Sequence, residues 1–97
     1  MTMNSENFSS ASTFTLLLFA GLRDAAGADS VAVNLAFGGE SVALAKVLEA
    51  CAEQHPKLAK WLPHIKVAVN CEYSQGDVPV KPSDEIALLP PVSGGVI

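Results

Sequence analysis

The alternation of apolar and polar residues predicts a chain built mainly of short strands. Thr13 to Ala20 (TFTLLLFA) alternates at first and then becomes apolar on both faces, which is typical of a strand covered on one side and flanked by a neighbour on each edge. Ser30 to Leu35 (SVAVNL) keeps the two-residue period of a half-buried strand. Further strands are predicted at Ile65 to Asn70, Val78 to Val80 and Glu85 to Leu89.

One segment between these strands has helical periodicity instead. Its apolar residues recur at three- and four-residue spacing, and they are Leu44, Val47, Leu48 and Cys51. Ser41 is the predicted N-cap, and Pro56 ends the helix at about Gln54. We therefore predict a single amphipathic helix between the second and third strands.

Two connections lack a sustained period. Gly21 to Asp29 (GLRDAAGAD) breaks the strand pattern with two glycines and two aspartates, so we predict a hairpin with a wide connection between the first two strands. Lys57 to His64 is short and is interrupted by Pro63. We predict that this segment is a turn that packs the Trp61 indole over the edge of the core.

The element order is ββαβ(β)β, with one long helix, and it predicts an α+β fold in which that helix covers one face of a mixed sheet. A ferredoxin-like fold would need another helix, whereas the β-grasp (ubiquitin-like) arrangement does not. The β-grasp arrangement places the last strand beside the first, in the middle of the sheet. We predict a flexible N-terminal extension at residues 1–12, a β-grasp domain at 13–90 and an extended tail at 91–97.

Size and charge narrow the classes of function. With 97 residues, 49% of them hydrophobic, the chain can form one core but cannot also enclose a deep substrate cavity. Its formal net charge of -4 leaves no basic stripe for phosphates, which argues against nucleic acid as a partner. The acidity fits a protein partner with a basic docking face, and it equally fits ordinary solubility. Any chemistry is therefore expected at an edge of the domain or in a partner.

Side chains with catalytic or metal-binding chemistry are sparse. Cys51 and Cys71 have no CxxC spacing and no zinc-site pattern around them, so we predict no metal, with Cys51 in the core and Cys71 at a strand end. His55 and His64 flank the Trp61 turn without a suitably spaced nucleophile or carboxylate, which predicts surface histidines. No secretory signal or membrane-spanning run is recognisable, so we expect a cytoplasmic protein with reduced thiols and no membrane contact.

The residues after the last strand carry the most specific chemical signal. Pro90 and Pro91 favour an extended course that projects the chain away from the domain. Gly94 and Gly95 have no side chain, so this segment can enter a narrow channel, and a glycine carboxylate is open to activation and nucleophilic attack. Such a pair alone also fits a merely flexible terminus. Its position behind a β-grasp-like order and two prolines favours the chemical interpretation.

Three stretches of the sequence resemble the small-subunit family of molybdopterin synthase. They are LLLFAGLRDAAG near the start, VAVN at Val67 to Asn70 and DEIALLPPVSGG near the end, and the likeness spans Phe14 to Gly95. The first and last stretches are specific together, whereas VAVN alone is not. The resemblance implies that an activating enzyme related to the ubiquitin-activating class uses ATP to adenylate the terminal glycine, which then becomes a thiocarboxylate. It also implies that the loaded tail enters the large subunit and donates sulfur to a cyclic pyranopterin.

The resemblance assigns roles to individual residues. Gly95 would carry the thiocarboxylate and Gly94 would let it pass down the channel of the large subunit, with neither acting as an acid or base. Contacts with partners would come from Leu89, Pro90, Pro91, Val92 and Arg23. Each of these contacts has an alternative, because Leu89 could point into the core, Pro90, Pro91 and Val92 could be a linker, and Arg23 could be a solvated loop charge. The carrier would bind no cofactor itself, and two carriers would flank a large-subunit dimer in a heterotetramer.

Val96 and Ile97 depart from the family pattern, because they follow Gly95 while a thiocarboxylate needs a free carboxyl at that glycine. We expect a protease to remove these two residues. The alternatives are an inactive carrier or a terminus that is not native. Other functions stay open: sulfur transfer in cysteine, thiamine or thionucleoside synthesis, modification of proteins as ubiquitin does, or an interaction module that never uses its terminus. The PPVSGG ending favours molybdopterin synthesis.

Overall fold

The computed structural model describes residues 12–74 and 76–90. The strands are β1 (Ser12–Leu18), β2 (Ser30–Leu35), β3 (Val42–Ala43), β4 (Lys66–Val69), β5 (Glu72–Tyr73), β6 (Pro79–Val80) and β7 (Ile86–Leu89). The helices are α1 (Gly21–Ala26), α2 (Leu44–Gln54) and α3 (Pro56–Ala59), and a 3-10 turn occupies Leu62–His64. Ser12, placed by sequence in the N-terminal extension, is the first residue of β1, and residues 1–11 of that extension lie outside the described residues.

Five strands form one mixed sheet in the order β2-β1-β7-β4-β5. β1 and β7 run parallel, with Leu16 opposite Ile86 and Leu18 opposite Leu88, and the other neighbouring strands are antiparallel. β3 and β6 form a separate two-stranded ribbon. The last strand therefore lies beside the first in the middle of the sheet. This topology confirms the predicted α+β, β-grasp arrangement.

The core lies between one face of the sheet and helix α2. Successive side chains of a strand lie on opposite faces, so alternate strand residues point toward the helix. Cys51 is buried there as predicted, whereas Leu48 of the predicted apolar stripe is only partly buried. The buried apolar residues are Phe14, Leu16, Leu18, Leu22, Val33, Leu44, Val47, Ala50, Cys51, Leu58, Val67, Val80, Ile86 and Leu88.

The predicted hairpin with a wide connection is confirmed, since β1 and β2 pair antiparallel, but six residues of the connection form helix α1, which was not predicted. Leu22 is fully buried in the core, and Gly27 takes the left-handed conformation (φ 73°) that ends the helix. A helix this short has no stability of its own in water and is held by tertiary packing. Its two turns are too few to produce a periodic pattern in the sequence.

The prediction that Ser41 caps the long helix is also wrong. Val42 and Ala43 pair with β6, and α2 begins at Leu44. The Leu44 N–H donates to Val78 O (2.8 Å), and the Ala45 N–H donates to Asp77 Oδ1 (2.9 Å). The first turn is thus capped by a loop more than thirty residues away. Local sequence cannot reveal such a cap, which only folding brings into place.

Trp61 packs against the edge of the core, as predicted, and its indole lies against Gly21 at the start of α1. A Cβ atom added to Gly21 would lie 2.9 Å from the Cη2 of Trp61, closer than two carbon atoms approach without displacement. The surrounding segment is more regular than predicted, since it contains both α3 and the 3-10 turn. Gly21, the first of the two glycines in LLLFAGLRDAAG, is therefore required by the packing of one indole ring.

Replacing Gly21 with Ala is expected to reduce the free energy of unfolding by about 1 to 3 kcal/mol, because the added methyl group forces the indole to shift. Gly38→Ala is the matched control, since nothing lies within 4 Å of a Cβ atom at that position. Its effect should stay within about 0.5 kcal/mol. Urea unfolding of both variants measures the difference. In a Trp61→Leu background the cost of Gly21→Ala should largely disappear, and an unchanged cost would contradict the assigned clash.

A hydrogen-bonded network joins the β4–β5 turn to the start of β7. Asn70 and Cys71, the two turn residues, have φ values of 53° and 72°. Asn70 donates its N–H to Glu85 O (2.7 Å), and its side-chain amide accepts from the Glu85 N–H (2.9 Å) and donates to Asp84 Oδ1 (3.1 Å). Asp84 Oδ2 accepts from the Lys81 N–H (2.8 Å). The network positions the beginning of the strand that leads to the tail.

Replacing Asp84 with Asn is expected to lower stability at neutral pH but not in acid. Hydrogen bonds from the Lys81 N–H and then from the Asn70 side chain hold the pKa of Asp84 below its usual range. The stabilisation is therefore complete above the unfolded pKa of about 3.9, and it is lost as pH falls through the lower folded pKa. Urea unfolding curves of the two proteins should differ near neutral pH and converge in strong acid. A difference that does not depend on pH would contradict this role.

Candidate functional site

Among the described residues, those at the end of β7 are nearest in sequence to the predicted site at Gly94 and Gly95. Leu89, Pro90 and Arg23 lie within the described residues. Pro91, Val92, Gly94, Gly95, Val96 and Ile97 lie outside them. The described part of the site is therefore the end of β7, where Leu89 and Pro90 lead into the tail.

The tail and helix α1 leave the sheet at the same end. β1 and β7 are parallel with Leu18 opposite Leu88, so the residues that follow these strands start side by side. Arg23 follows β1 and lies on α1, not in a loop, with its Nη1 3.7 Å from Asp29 Oδ1. The two side chains are 54% and 87% exposed, so this ion pair contributes little to stability. The guanidinium can exchange it for a contact with a partner.

Leu89 points away from the core. Ile86 and Leu88 are fully buried beneath the helix, and the alternation of β7 places Ala87 and Leu89 on the opposite face, where both are partly exposed. The alternative that Leu89 is a core residue is therefore wrong. Pro90, the next residue, is also partly exposed. The strand presents an apolar side chain to solvent immediately before the tail.

Leu89 belongs to an apolar surface on the sheet face that none of the described helices covers. Its members come from the end of β1, from β4, from β5 and its turn, and from β7. We call this surface the open-face patch, and its residues are Phe19, Ala68, Cys71, Tyr73, Ala87 and Leu89. Phe19 is 42% exposed and Tyr73 is 64% exposed, and they are the large hydrophobic residues most open to solvent among those described. Exposed aromatic residues grouped with aliphatic ones mark a protein-binding surface.

The patch covers the open face around β7, from Cys71 beside the start of that strand to Leu89 at its end, and does not reach the start of β1. On the same face, the part farther from the tail carries Thr13 and Thr15 of β1 and Asn34 of β2, all exposed. Thr13 Oγ1 donates to Asn34 Oδ1 (2.9 Å), so the polar side chains there satisfy one another. A partner that binds apolar surface can therefore dock on the open-face patch but not on the polar part of the same face.

The described residues of the site supply apolar and aromatic groups suited to binding a protein. Glu85 lies at the rim of the open-face patch without a histidine or a second carboxylate beside it among the lining residues. Within residues 12–74 and 76–90, no cluster of three or more His, Cys, Asp or Glu residues could hold a metal ion. In the same part of the chain, no helix is long and apolar enough to cross a membrane.

The two cysteines differ in environment as predicted. Cys51 is fully buried in the core, and burial raises the pKa of its thiol to about 11. Its reactive thiolate is therefore scarce at neutral pH. Cys71 is exposed in the turn after β4, within the open-face patch. A thiol reagent that reacts with the folded protein should therefore modify Cys71 first.

The two histidines serve no shared site. His64 is exposed in the 3-10 turn, as predicted. His55 is only partly exposed and lies at the end of α2, where its Nε2 donates to Ala32 O (2.7 Å). The contact attaches the helix to β2, so the prediction of two free surface histidines is correct for His64 alone.

Sequence reasoning did not identify Phe19 and Tyr73 as site residues. Phe19 lies near the end of a run, TFTLLLFA, whose later residues are apolar on both faces, and this pattern is typical of a central strand. The same pattern also arises where an exposed face is apolar. Tyr73 lies on β5, a two-residue strand that has no detectable period. Only the fold places these two rings beside Leu89.

Comparisons with known proteins relate the whole domain to small carrier and modifier proteins. The sequence model of the ThiS family matches residues 16–95. The molybdopterin synthase sulfur carrier subunit of Dictyostelium discoideum is 34% identical over 84 residues, which cover 84% of this chain and 95% of that protein. The match extends along nearly the full length of the relative.

Solved structures agree with this relationship. SAMP1 from Haloferax volcanii superposes with a TM-score of 0.68 at 31% identity, covering 86% of this chain and 99% of that one. Small archaeal modifier protein 1 from Methanosarcina acetivorans gives a TM-score of 0.64 at 29% identity, covering 88% and 98%. A complex of subunits 1 and 2 of molybdopterin-converting factor from Helicobacter pylori contains a chain of the same fold, with a TM-score of 0.55 at 24% identity and coverage of 86% and 99%.

Proposed function

The chain belongs to the ThiS family, and from this premise we propose that it is a sulfur carrier for molybdopterin synthesis. Gly95 is adenylated, becomes a thiocarboxylate and donates its sulfur to cyclic pyranopterin monophosphate. The observation that carries the proposal is the position of the Gly-Gly tail directly behind a partly exposed apolar surface at the end of the central strand. The 34% identity to a protein named molybdopterin synthase sulfur carrier subunit supports this choice of pathway.

The chemistry needs only a free carboxyl group from this chain. The carboxylate of Gly95 attacks the α-phosphorus of ATP and releases pyrophosphate, leaving an acyl-adenylate. A sulfur nucleophile then attacks the acyl carbon and AMP leaves, so one carbon–oxygen bond is replaced by a carbon–sulfur bond. Neither step requires an acid, a base or a bound cofactor from the carrier, because the activating enzyme binds the ATP. The carrier is therefore a cosubstrate and not a catalyst.

We assign docking on the large subunit of molybdopterin synthase to the open-face patch and the tail. Leu89 and Phe19 supply apolar anchors at the tail end of the sheet, and Arg23 lies on the helix that starts at that end. Pro90, Pro91 and Val92 lead the glycines into the channel of the large subunit. Subunits 1 and 2 of the H. pylori molybdopterin-converting factor form a complex. For this chain we propose a complex with the large subunit, with two carriers on a large-subunit dimer, in the cytoplasm.

Val96 and Ile97 must leave before the carrier can be loaded. In this sequence Gly95 is joined to Val96 by a peptide bond, so its carbonyl carbon bears nitrogen where the thiocarboxylate chemistry needs oxygen. We propose that a protease cleaves this bond. The PPVSGGVI segment carries no charge, and Gly94 and Gly95 leave the N-terminal side of the cleaved bond without side chains.

Protein modification is the second candidate function. Two of the similar structures are archaeal modifier proteins at 31% and 29% identity, and a modifier would use the same activated glycine. The acyl-adenylate or thioester would then react with a lysine amine in place of a sulfur donor. Adducts of higher mass that resist hydroxylamine would favour this function, whereas sulfur transfer to cysteine, thiamine or thionucleoside precursors would leave none.

The test is a reconstitution that compares the 97-residue chain with a form ending at Gly95. Each is incubated with activating enzyme, ATP, a sulfur source, the large subunit and cyclic pyranopterin monophosphate. Carrier mass and molybdopterin are then measured. We expect the form ending at Gly95 to gain the mass of a sulfur-for-oxygen exchange and to yield molybdopterin, and the 97-residue chain to do neither.

Each other outcome separates the alternatives. A thiocarboxylate that yields no molybdopterin would assign the carrier to another sulfur pathway. Loading of the 97-residue chain without loss of Val96 and Ile97 would contradict the need for cleavage. The absence of any mass change in the form ending at Gly95 would refute the carrier function itself.

A further inference from the structure

Among the described residues, the outer edge of β2 is covered by side chains and not by another strand. β2 lies at one end of the five-stranded sheet, so β1 occupies only one of its two edges. Alternate residues of an edge strand direct their N–H and C=O groups away from the sheet. In β2 these residues include Ala32 and Asn34, which are opposite Thr15 and Thr13 of β1. Their backbone groups form an edge on which another strand could pair.

Gln54 binds this edge as a neighbouring strand would. Its Oε1 accepts from the Asn34 N–H (2.9 Å), and its Nε2 donates to Asn34 O (2.7 Å). One carboxamide thus makes the pair of hydrogen bonds that opposite residues of two antiparallel strands make with each other. Two short contacts to one residue fix the amide in a single orientation, with the acceptor toward the N–H and the donor toward the carbonyl.

His55 binds the next outward-facing residue of β2, Ala32, two residues before Asn34. Its Nε2 lies 2.7 Å from Ala32 O, and because a carbonyl only accepts, this nitrogen carries the donated proton. Both residues are positioned by the end of α2, where the His55 N–H donates to Cys51 O (2.8 Å). Cys51 is fully buried, so the cover is anchored to the core. The helix end therefore places two consecutive side chains along the outward-facing groups of β2.

We propose that Gln54 and His55 close the β2 edge against pairing with a second copy of this chain. Without them, β2 offers alternating outward-facing groups over six residues, and an identical strand from another molecule can pair with it antiparallel about a two-fold axis. Closing this edge leaves the open-face patch as the docking surface. The inference depends only on the contacts of β2 and is independent of the proposed function.

The test replaces Gln54 with Met, which keeps the length of the side chain and its helix propensity but removes both hydrogen bonds. Sedimentation equilibrium of the 97-residue chain from low micromolar to millimolar concentration should give a weight-average mass that rises about twofold, while the unaltered chain stays monomeric. Glu53→Met is the matched control, because it adds the same apolar side chain at an exposed neighbouring position. It should stay monomeric.

A second substitution localises the association. Adding Ala32→Pro to the Gln54→Met chain removes an outward-facing N–H and blocks strand pairing, while an edge strand tolerates proline at such a position. The double variant should return to a monomer, with circular dichroism confirming that it is folded. A monomeric Gln54→Met chain at all concentrations, or a dimeric double variant, would overturn the proposal.

Hydrogen exchange in the unaltered chain tests the cover without any mutation. The Asn34 amide should exchange at least about tenfold more slowly than it does in monomeric Gln54→Met protein at low concentration. Equal exchange rates in the two proteins would show that Gln54 does not hold this edge, and would also overturn the proposal.

Discussion

A carrier that ends at Gly95 and contains Gly94→Val is expected to form molybdopterin about a hundredfold more slowly than the same carrier with glycine at this position. Glycine adopts backbone angles closed to other residues and adds no width to the chain. Valine restricts the backbone and adds two methyl groups beside the reacting carbonyl. A thiocarboxylate held even about an ångström from its working position reacts far more slowly. The measurement is a single turnover with carrier already loaded, which separates sulfur transfer from adenylation.

Ser93→Val is the matched control for this substitution. It introduces the same side chain one residue earlier, outside the Gly-Gly pair. We expect a much smaller loss, since the thiocarboxylate is farther away. Equal losses for the two variants would mean that the tail is sensitive to bulk in general, and would contradict a special requirement at Gly94. Loss of loading as well as transfer would place the narrow passage in the activating enzyme.

Leu89→Asp is expected to weaken binding to the large subunit by roughly thirtyfold or more, the effect of removing a central apolar anchor. Leu89 faces solvent from the open face, next to Ala87 on the strand and close to Phe19 and Tyr73. A carboxylate there would have to give up its hydration when a partner covers the patch. Isothermal titration calorimetry of the carrier against the large subunit measures the loss.

Thr15→Asp is the control for the docking surface. Thr15 is exposed on the same face of the sheet, in its polar part outside the open-face patch. Binding of this variant should match that of the unaltered carrier, and thermal unfolding should confirm that both variants are folded. Equal weakening by the two substitutions would indicate that charge on the whole face matters. Unchanged binding by Leu89→Asp would remove the patch from the docking surface.

The strands were predictable because burial on one face imposes a two-residue period. Ser30 to Leu35 has the same bounds in the sequence prediction and in the structure, and the other predicted strands agree within two residues at each end. The long helix was predictable for the same kind of reason, with buried Leu44, Val47 and Cys51 at helical spacing. A periodic pattern rests on many residues, so the helix is still predicted although Leu48 of its apolar stripe is only partly buried.

The elements that were missed are those whose stability comes from distant contacts. Helix α1 is held by the burial of Leu22, and the start of α2 is set by Asp77 and by the pairing of Val42 with Val80. None of these contacts leaves a signal in the neighbouring residues. Ser41 is a good cap by its chemistry, yet a strand formed where its helix was expected to start.

The sequence by itself determined the longer strands, the long helix and the single core, and it supplied the prediction of chemistry at Gly94 and Gly95, because periodicity and the Gly-Gly pair are properties of consecutive residues. The tertiary structure decided which way Leu89 points and which residues surround it. Phe19, Tyr73 and Leu89 come from three strands or their ends, and only the order and register of the sheet bring them to one face. It also decided that Gln54 and His55 cover β2, since hydrogen bonds spanning twenty or more residues depend on the folded chain as a whole.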